Sequence, residues 1–326
     1  MRHGNAFNIL LQLLSGWRMN DREYPVPKRD YSRAPLFPLP REGWALLALL
    51  AIMFLGAVLR FYGLDFQSLW GGELASWDLG GRDTISGVVR DGTQPPLYFL
   101  ILHFAGWIFG DSEWALRLPS ALAGWLCIPA NYLLGKKLYS EREGIMAALF
   151  VAVLWAPVYY GQEARPYAML ILLSILTSYF WWDLMLGLRY RGELPKREAA
   201  WYIVCGVLCA YTHYFGLLLV LLQGVALAAL AFDRLRQAAI LYVPVVLAYL
   251  PWLPGMLNRF GDGDLGLHLF SRPEPDQQMI SMLQRNFQPV HYECFDGAAV
   301  VTYKVGRHPS AGPPQPEPPS SLPKQE

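Results

Sequence analysis

Charged residues are scarce in this sequence. Only 16% of its 326 residues are Asp, Glu, Lys or Arg, whereas 54% are hydrophobic and 14% are aromatic. Soluble globular domains carry about 25% charged residues, so the composition excludes an ordinary soluble domain and predicts a polytopic membrane protein. The formal net charge is only +1. The chain therefore lacks the basic excess that binding to a nucleic acid requires, and we expect no nucleic-acid partner.

Cysteine is also scarce, and its placement excludes the usual zinc frameworks. The chain has 4 cysteines and none of them forms a CxxC pair. Cys127, Cys205 and Cys209 lie inside apolar segments, and we interpret them as small hydrophobic side chains. Cys205 and Cys209 share one helical face, but their side chains would be poorly aimed for a disulfide.

Seven apolar segments are predicted to span the membrane as helices. Lysine and arginine follow alternate segments, so the positive-inside rule places the N-terminus in the cytoplasm and the C-terminus outside. The expected fold class is an all-α polytopic membrane protein. The seven segments are residues 44–61, 116–134, 144–160, 167–187, 200–215, 216–232 and 238–256.

A further apolar stretch, residues 95–109, is too short to cross the membrane. It has about 15 residues, whereas a spanning helix needs about 20. If this stretch crossed, every later basic loop would lie outside; if it stays at the surface, every such loop lies inside. We therefore predict an interfacial or re-entrant helix within a long outer loop of residues 62–115.

These spans divide the chain into four predicted regions. Residues 1–43 form a basic cytoplasmic leader, and residues 44–256 form the transmembrane domain. Residues 257–307 are expected to be a short extracytoplasmic α+β segment, with a hairpin pattern around residues 296–297. Proline, serine and glycine dominate residues 308–326, which predicts a disordered tail.

An acidic turn follows the first predicted span. Residues 68–77 read SLWGGELASW, so Glu73 is flanked by glycines and tryptophans just outside the membrane. Attack by a hydroxyl group on an anomeric carbon needs a base within hydrogen-bond reach. Glu73 is therefore a candidate catalytic or site-organising residue. The structural alternative is a carboxylate that only solvates the loop.

A second pair of charges lies at the predicted outer end of the third span. Glu163 is the second candidate catalytic residue, because it could orient the acceptor beside Glu73. Arg165 could hold phosphate oxygens bidentately, or it could pair with Glu163 or snorkel to the interface. Tyr167 is a candidate substrate contact. Glu73 and Glu163 are also the candidate ligands of a divalent metal, and no other cofactor is predicted.

Three further residues are candidate substrate contacts. His213, at the outer end of the fifth span, could bond the donor or its sugar, or it could be a structural histidine of an aromatic belt. Arg90 lies in the outer loop, where it could contact a phosphate. Trp70 could stack on a sugar ring, although anchoring at the membrane interface explains a tryptophan there equally well.

Four short motifs, in this order, resemble the bacterial glycosyltransferase family 39 group. They are residues 69–73 (LWGGE), 94–98 (QPPLY), 109–120 (FGDSEWALRLPS) and 162–167 (QEARPY). Members of that group are membrane enzymes of the GT-C fold, related to protein O-mannosyltransferases and to the aminoarabinose transferase of lipid A. The resemblance covers roughly residues 44–256 and implies a GT-C-like helical bundle.

The resemblance implies a reaction and a location. A sugar would be transferred, with inversion, from a polyprenyl-phosphate carrier to a lipid, glycan or protein acceptor at the outer face of a bacterial inner membrane. In that family the first outer loop carries an Asp-Glu pair whose Asp acts as, or positions, the general base. Gly72 and Glu73 stand at these positions, so the Asp is missing.

Two departures from the family keep alternatives open. The Asp before Glu73 is absent, and the chain resembles a shortened member, because relatives usually continue through more spans into a larger soluble domain. An inactive member that partners a complete one is the first alternative. The second is a lipid-carrier transporter or membrane scaffold. A transporter would place ionisable residues near the midplane of its spans, whereas here they concentrate at the predicted outer ends.

Overall fold

The computed structural model describes residues 35–40, 42–81, 84–91, 94–254, 256–257, 288–295 and 298–304. It divides the chain into two compact units, which meet in sequence at Leu265 and Gly266. Every regular element described in the first unit is a helix. Its α-helices are α1 (Gly43–Phe61), α2 (Gly71–Gly80), α3 (Ile85–Asp91), α4 (Leu97–Phe109), α5 (Glu113–Leu138), α6 (Glu141–Val153), α7 (Trp155–Gly161), α8 (Tyr167–Leu186), α9 (Lys196–Thr212), α10 (Tyr214–Leu230) and α11 (Leu235–Tyr249).

The second unit contains the predicted hairpin. Strand β1 (Gln288–Phe295) pairs antiparallel with β2 (Ala298–Lys304), and Phe295 faces Ala298 across the turn. The hairpin around residues 296–297 is therefore confirmed. The helical part expected for the α+β segment and the disordered tail lie outside the described residues, and the four-region division of the chain remains a prediction.

A helix occupies each of the seven predicted spans, which confirms the all-helical membrane fold class. Three helical stretches are long and apolar enough to cross a membrane by themselves: Gly43–Phe61, Tyr167–Arg191 and Phe232–Trp252. The second of these continues α8 through a π-helical turn, and the third joins α11 to its flanking 3₁₀ turns. A fourth span results if the bent pair α6–α7 is counted as one. The number seven itself remains a prediction.

The third predicted span is not one helix, and this corrects the prediction for residues 144–160. Helix α6 ends at Val153, α7 begins at Trp155, and the two helices are bent by 58°. Pro157 explains the break, because proline has no backbone N–H and its ring clashes with the carbonyl four residues earlier. In the first turn of α7 the same residue is tolerated, since no helical hydrogen bond is needed there.

Residues predicted on the inner side of the membrane meet one another in the structure. Lys137, at the end of α5, forms a salt bridge of 2.6 Å with Asp183 of α8. The Tyr179 hydroxyl donates to the Leu36 carbonyl of the leader over 2.6 Å. Helix α5 has 26 residues, which at 1.5 Å per residue makes it about 39 Å long and able to cross the roughly 30 Å hydrocarbon core.

Helix α4 packs against the elements that hold Glu73. Its first turn packs Tyr98 and Phe99 in a buried cluster with Ala164, which follows α7. Its middle is tied back to α2, because His103 Nδ1 donates to the Gly80 carbonyl over 2.9 Å. Both halves of this 13-residue helix therefore contact these elements, and its interfacial position remains a prediction.

Cysteine labelling tests which side of the membrane each loop faces. In a Cys294→Ser background the other three cysteines are buried, so an introduced cysteine is the reactive one. We expect Asp65→Cys to react with a membrane-impermeant maleimide in intact spheroplasts, and Tyr139→Cys to react only after permeabilisation. Tyr139 is 49% exposed, so a lack of labelling would report the membrane side rather than burial.

Equal labelling of both variants after permeabilisation is the control for reactivity. If Tyr139→Cys reacts from outside in intact spheroplasts, then α4 crosses the membrane and the predicted orientation of every later loop is reversed.

Candidate functional site

The carboxylate of Glu73 is completely buried and fully bonded. Its residue is 0% exposed, and it sits in the first turn of α2. Arg117 of α5 donates two hydrogen bonds to this carboxylate, from Nε to Oε1 over 2.8 Å and from Nη2 to Oε2 over 2.7 Å. The backbone N–H groups of Ala164 and Trp70 also donate to it, over 2.8 and 3.3 Å. Because four donors already bind the Glu73 carboxylate, it has little remaining capacity to accept a proton from a substrate.

Arg117 also orders the loop between α1 and α2. Its Nη1 donates to the carbonyls of Leu64 and Gln67 over 2.6 and 2.8 Å, and its Nη2 reaches the Ser68 carbonyl at 3.4 Å. A buried ion pair is tolerated only when its remaining donors and acceptors are satisfied, and this pair meets that condition. The geometry therefore favours the site-organising role for Glu73 over the role of general base.

A buried hydrogen-bond chain joins α4 to the segment after α7. The Tyr98 hydroxyl lies 2.8 Å from Ser120 Oγ, and Ser120 Oγ donates to the Arg165 carbonyl over 3.0 Å. Burial raises the pKa of Tyr98 above its ordinary value, so its hydroxyl keeps its proton and donates to Ser120. All four sequence motifs therefore converge on one end of the bundle.

The guanidinium of Arg165 lies among backbone and aromatic groups. Its Nη1 donates to the Gly72 carbonyl over 2.9 Å, and its Nη2 donates to the Tyr167 hydroxyl over 3.3 Å. The same group lies 5.7 Å from the Trp70 ring centroid and 5.5 Å from that of Tyr167, within cation–π range. Its Nε is buried without a hydrogen-bond partner, and no described carboxylate forms a salt bridge with it.

Trp70 covers the place where the family's Asp would project. A Cβ atom added at Gly72 would overlap the six-membered ring of Trp70. Trp70 is 51% exposed, so the ring could move, but in this chain an aromatic face stands where a carboxylate would. Arg165 therefore faces an indole and a carbonyl oxygen rather than an acid.

Glu163 lies two residues before Arg165 in the chain, and His213 contacts Tyr167. Glu163 is 7% exposed, and the Tyr159 hydroxyl donates to its carboxylate. The His213 ring lies 5.8 Å from the ring of Tyr167. Its Nδ1 accepts a hydrogen bond of 3.1 Å from the Phe215 backbone, so His213 caps α10 and any proton for a ligand would come from Nε2.

The structure brings together most of the residues that the sequence singled out. Trp70, Arg165, Tyr167 and His213 form one continuous set of contacts, and Glu73 joins it through the backbone of Ala164 and Gly72. The side chain of Arg90 lies outside the described part of the chain, so its role remains a prediction. No cluster of three or more His, Cys, Asp or Glu that could hold a metal occurs among the described residues.

Sequence reasoning missed the two polar groups that build this site. Arg117 and Ser120 lie in the quoted motif of residues 109–120, but no role was assigned to them. A signal was available for Arg117, since a lone arginine in a predicted span needs a buried partner. Nothing in the sequence identifies that partner as Glu73, which lies 44 residues earlier.

A family model matches half of the chain. The model of the dolichyl-phosphate-mannose-protein mannosyltransferases matches residues 93–257. This range contains α4 to α11 and therefore Tyr98, Arg117, Ser120, Glu163 and Arg165, whereas Glu73 precedes it. No curated protein and no solved structure matches the chain.

A double-mutant cycle tests the structural role of the Glu73–Arg117 pair. Glu73→Met and Arg117→Met should each lower the free energy of unfolding by about 3–5 kcal/mol, because each leaves an unpaired buried charge. In the double variant the free energy of unfolding should fall by less than the sum of the two single decreases. Thermal unfolding of the purified protein in one detergent measures all three.

The matched control is the exposed pair Asp233–Arg234, whose nitrogen and oxygen lie 3.5 Å apart. Arg234→Met should change stability by less than about 1 kcal/mol. If the decreases in the free energy of unfolding caused by the Glu73 and Arg117 substitutions are strictly additive, the two side chains do not act as a pair.

Proposed function

Because the chain belongs to the dolichyl-phosphate-mannose-protein mannosyltransferase family, we propose that it transfers a sugar from a polyprenyl-phosphate carrier to an acceptor at the outer face of a bacterial inner membrane. Family membership implies a membrane glycosyltransferase with a lipid-linked sugar donor. The polyprenyl carrier, the outer-face acceptor and inversion at the sugar are the finer parts of the proposal.

The environment of Arg165 is the observation that carries the proposal. Its guanidinium has a buried, unbonded Nε and no described carboxylate as a salt-bridge partner, so its charge is available to an anion. The phosphodiester of a polyprenyl-phosphate sugar has two free oxygens that can accept two parallel hydrogen bonds from a guanidinium. The rings of Trp70 and Tyr167 on either side suit the sugar or the first isoprene unit of such a donor.

Glu163 is our candidate for the general base. In the proposed step the acceptor oxygen bonds to the anomeric carbon, the bond from that carbon to the phosphate oxygen breaks, and the acceptor proton passes to the Glu163 carboxylate. The departing lipid phosphate takes the bonding electron pair and gains one negative charge, which a cation must stabilise; this is the role proposed for Arg165. His213 and Tyr167 would line the sugar-binding side of the same site.

Glu73 then acts through other residues. Its bonds to Arg117 and to the Ala164 backbone fix the segment that carries Glu163 and Arg165. The missing Asp would not be replaced by Glu73 but by Glu163, which reaches the site from the opposite segment. We propose Glu73 as a positioning residue for this reaction.

An inactive donor-binding member is the second candidate function, and the Trp70 ring over Gly72 is the observation that favours it. A chain without the Asp could still bind a lipid phosphate through Arg165. Transport of the lipid carrier is less well supported. The buried charges lie near the helix ends, with Arg117 and Glu163 at one end and Lys137 and Asp183 at the other, whereas transporters bind their substrate near the midplane.

Transfer and binding assays separate these candidates. With a radiolabelled polyprenyl-phosphate sugar, Glu163→Gln should lower kcat by about 100-fold or more, because the amide cannot take the proton. Arg165→Lys should raise the donor KM by about ten-fold, because an ammonium cannot form the bidentate contact. Both variants should unfold at the wild-type temperature.

Asp65→Asn is the matched control, because Asp65 is an exposed carboxylate of the loop between α1 and α2. This variant should retain full transfer activity. Donor binding without transfer by the wild type would select the inactive member. Wild-type transfer that survives both Glu163→Gln and Arg165→Lys would show that these residues are not the site.

A further inference from the structure

Arg60, near the end of α1, is a fully buried cation outside the site described above. It is 0% exposed, although it lies in a predicted span where an unpaired charge is costly. No described carboxylate forms a salt bridge with it. The charge of this buried arginine must therefore be stabilised by neutral polar groups around it, and those groups indicate its structural role.

Arg60 donates to the Gly56 carbonyl of its own helix over 3.2 Å, and its other two partners are carbonyls released by the break between α6 and α7. Its Nη2 donates to the Val151 carbonyl over 2.7 Å, and its Nη1 donates to the Ala152 carbonyl over 3.1 Å. The last carbonyls of a helix have no partner within that helix, and inside a membrane each unsatisfied group costs several kcal/mol. Arg60 supplies two of the missing donors and so makes the 58° bend tolerable.

The same side chain also touches the far end of α7. A Cβ atom added at Gly161, the last residue of α7, would lie 3.3 Å from Cγ of Arg60, and one added at Gly124 of α5 would lie 3.1 Å from its Nε. The two glycines thus leave the space that the side chain fills. Arg60 therefore contacts the end of α6, just before the break, and the last residue of α7, Gly161.

The next residue extends this contact to the catalytic segment. Gln162 follows Gly161, and its Nε2 donates to the Leu59 carbonyl of α1 over 2.8 Å. Glu163 and Arg165 come directly afterwards. Arg60 thus bridges the end of α6 and the end of α7, directly before the segment that carries these two side chains.

We propose that Arg60 is a positioning residue: by capping the broken span and packing on Gly161, it sets the place of Glu163 and Arg165. This proposal rests on the proposed function for its catalytic consequence. Its structural consequence, the anchoring of residues 162–166, stands independently of any activity.

Hydrogen exchange and kinetics on the same purified protein test the proposal. In Arg60→Leu the amides of residues 162–165 should exchange about ten-fold faster than in the wild type, because the local anchor is lost. Transfer from a polyprenyl-phosphate sugar should fall by about 100-fold in kcat, the loss that a misplacement of about 1 Å can cause. Arg60→Lys should recover part of both losses.

The matched control is Asn131→Leu. Asn131 of α5 also donates from its side chain to a carbonyl of α6, that of Ala147, over 2.9 Å, but away from the break. The Asn131→Leu substitution should lower the unfolding temperature, but it should change neither the amide hydrogen exchange of residues 162–165 nor kcat. If Arg60→Leu does not fold, Gly161→Ala tests the same contact by pushing α7 from the Arg60 side chain, and it should accelerate the same exchange.

Three outcomes would overturn the proposal: unchanged exchange in residues 162–165 of the folded Arg60 variant, faster exchange with unchanged kcat, or equal effects of Arg60→Leu and Asn131→Leu. A wild type that transfers no sugar would instead contradict the proposed function, and the exchange measurement would still decide the role of Arg60.

Discussion

The ion pair between Glu73 and Arg117 is the interaction on which this end of the molecule depends. It joins the first turn of α2 to α5, and through the Ala164 N–H it also holds the segment after α7. A buried carboxylate needs several donors to remain charged in a low-dielectric environment. Those donors come from three separate stretches of the chain, so satisfying one charge brings all three stretches to one place.

Much of this arrangement could be predicted from the sequence. The alternation of basic loops and apolar segments places Glu73, Glu163 and His213 at the same side of the bundle, and the structure gathers the elements that carry them. The length of residues 95–109 predicts a helix that does not cross, and the structure has a helix of 13 residues there, Leu97–Phe109. Such predictions succeed because helix length and charge asymmetry act locally along the chain and are independent of which side chains meet.

The partners of buried charges could not be predicted in the same way. Arg60 and Arg117 both stand near the outer end of a predicted span, yet one is satisfied by carbonyl oxygens and the other by a carboxylate. Which of these occurs depends on a helix break more than 90 residues away in one case and on a loop in the other. Pro157 was the available signal for the break, but a proline does not say which side chain will cap the freed carbonyls.

The resemblance to the family implies an Asp at position 72, where this chain has Gly. An Asp there would lie close to Arg165, whose Nη1 is bonded to the Gly72 carbonyl, and it would compete for that guanidinium. With glycine at this position the Trp70 ring lies beside the backbone instead, and no described carboxylate forms a salt bridge with Arg165. If Arg165 binds the donor phosphate as we propose, the glycine that stands in place of an acid also leaves this guanidinium open to an anion, so donor binding and transfer are separable questions in this protein.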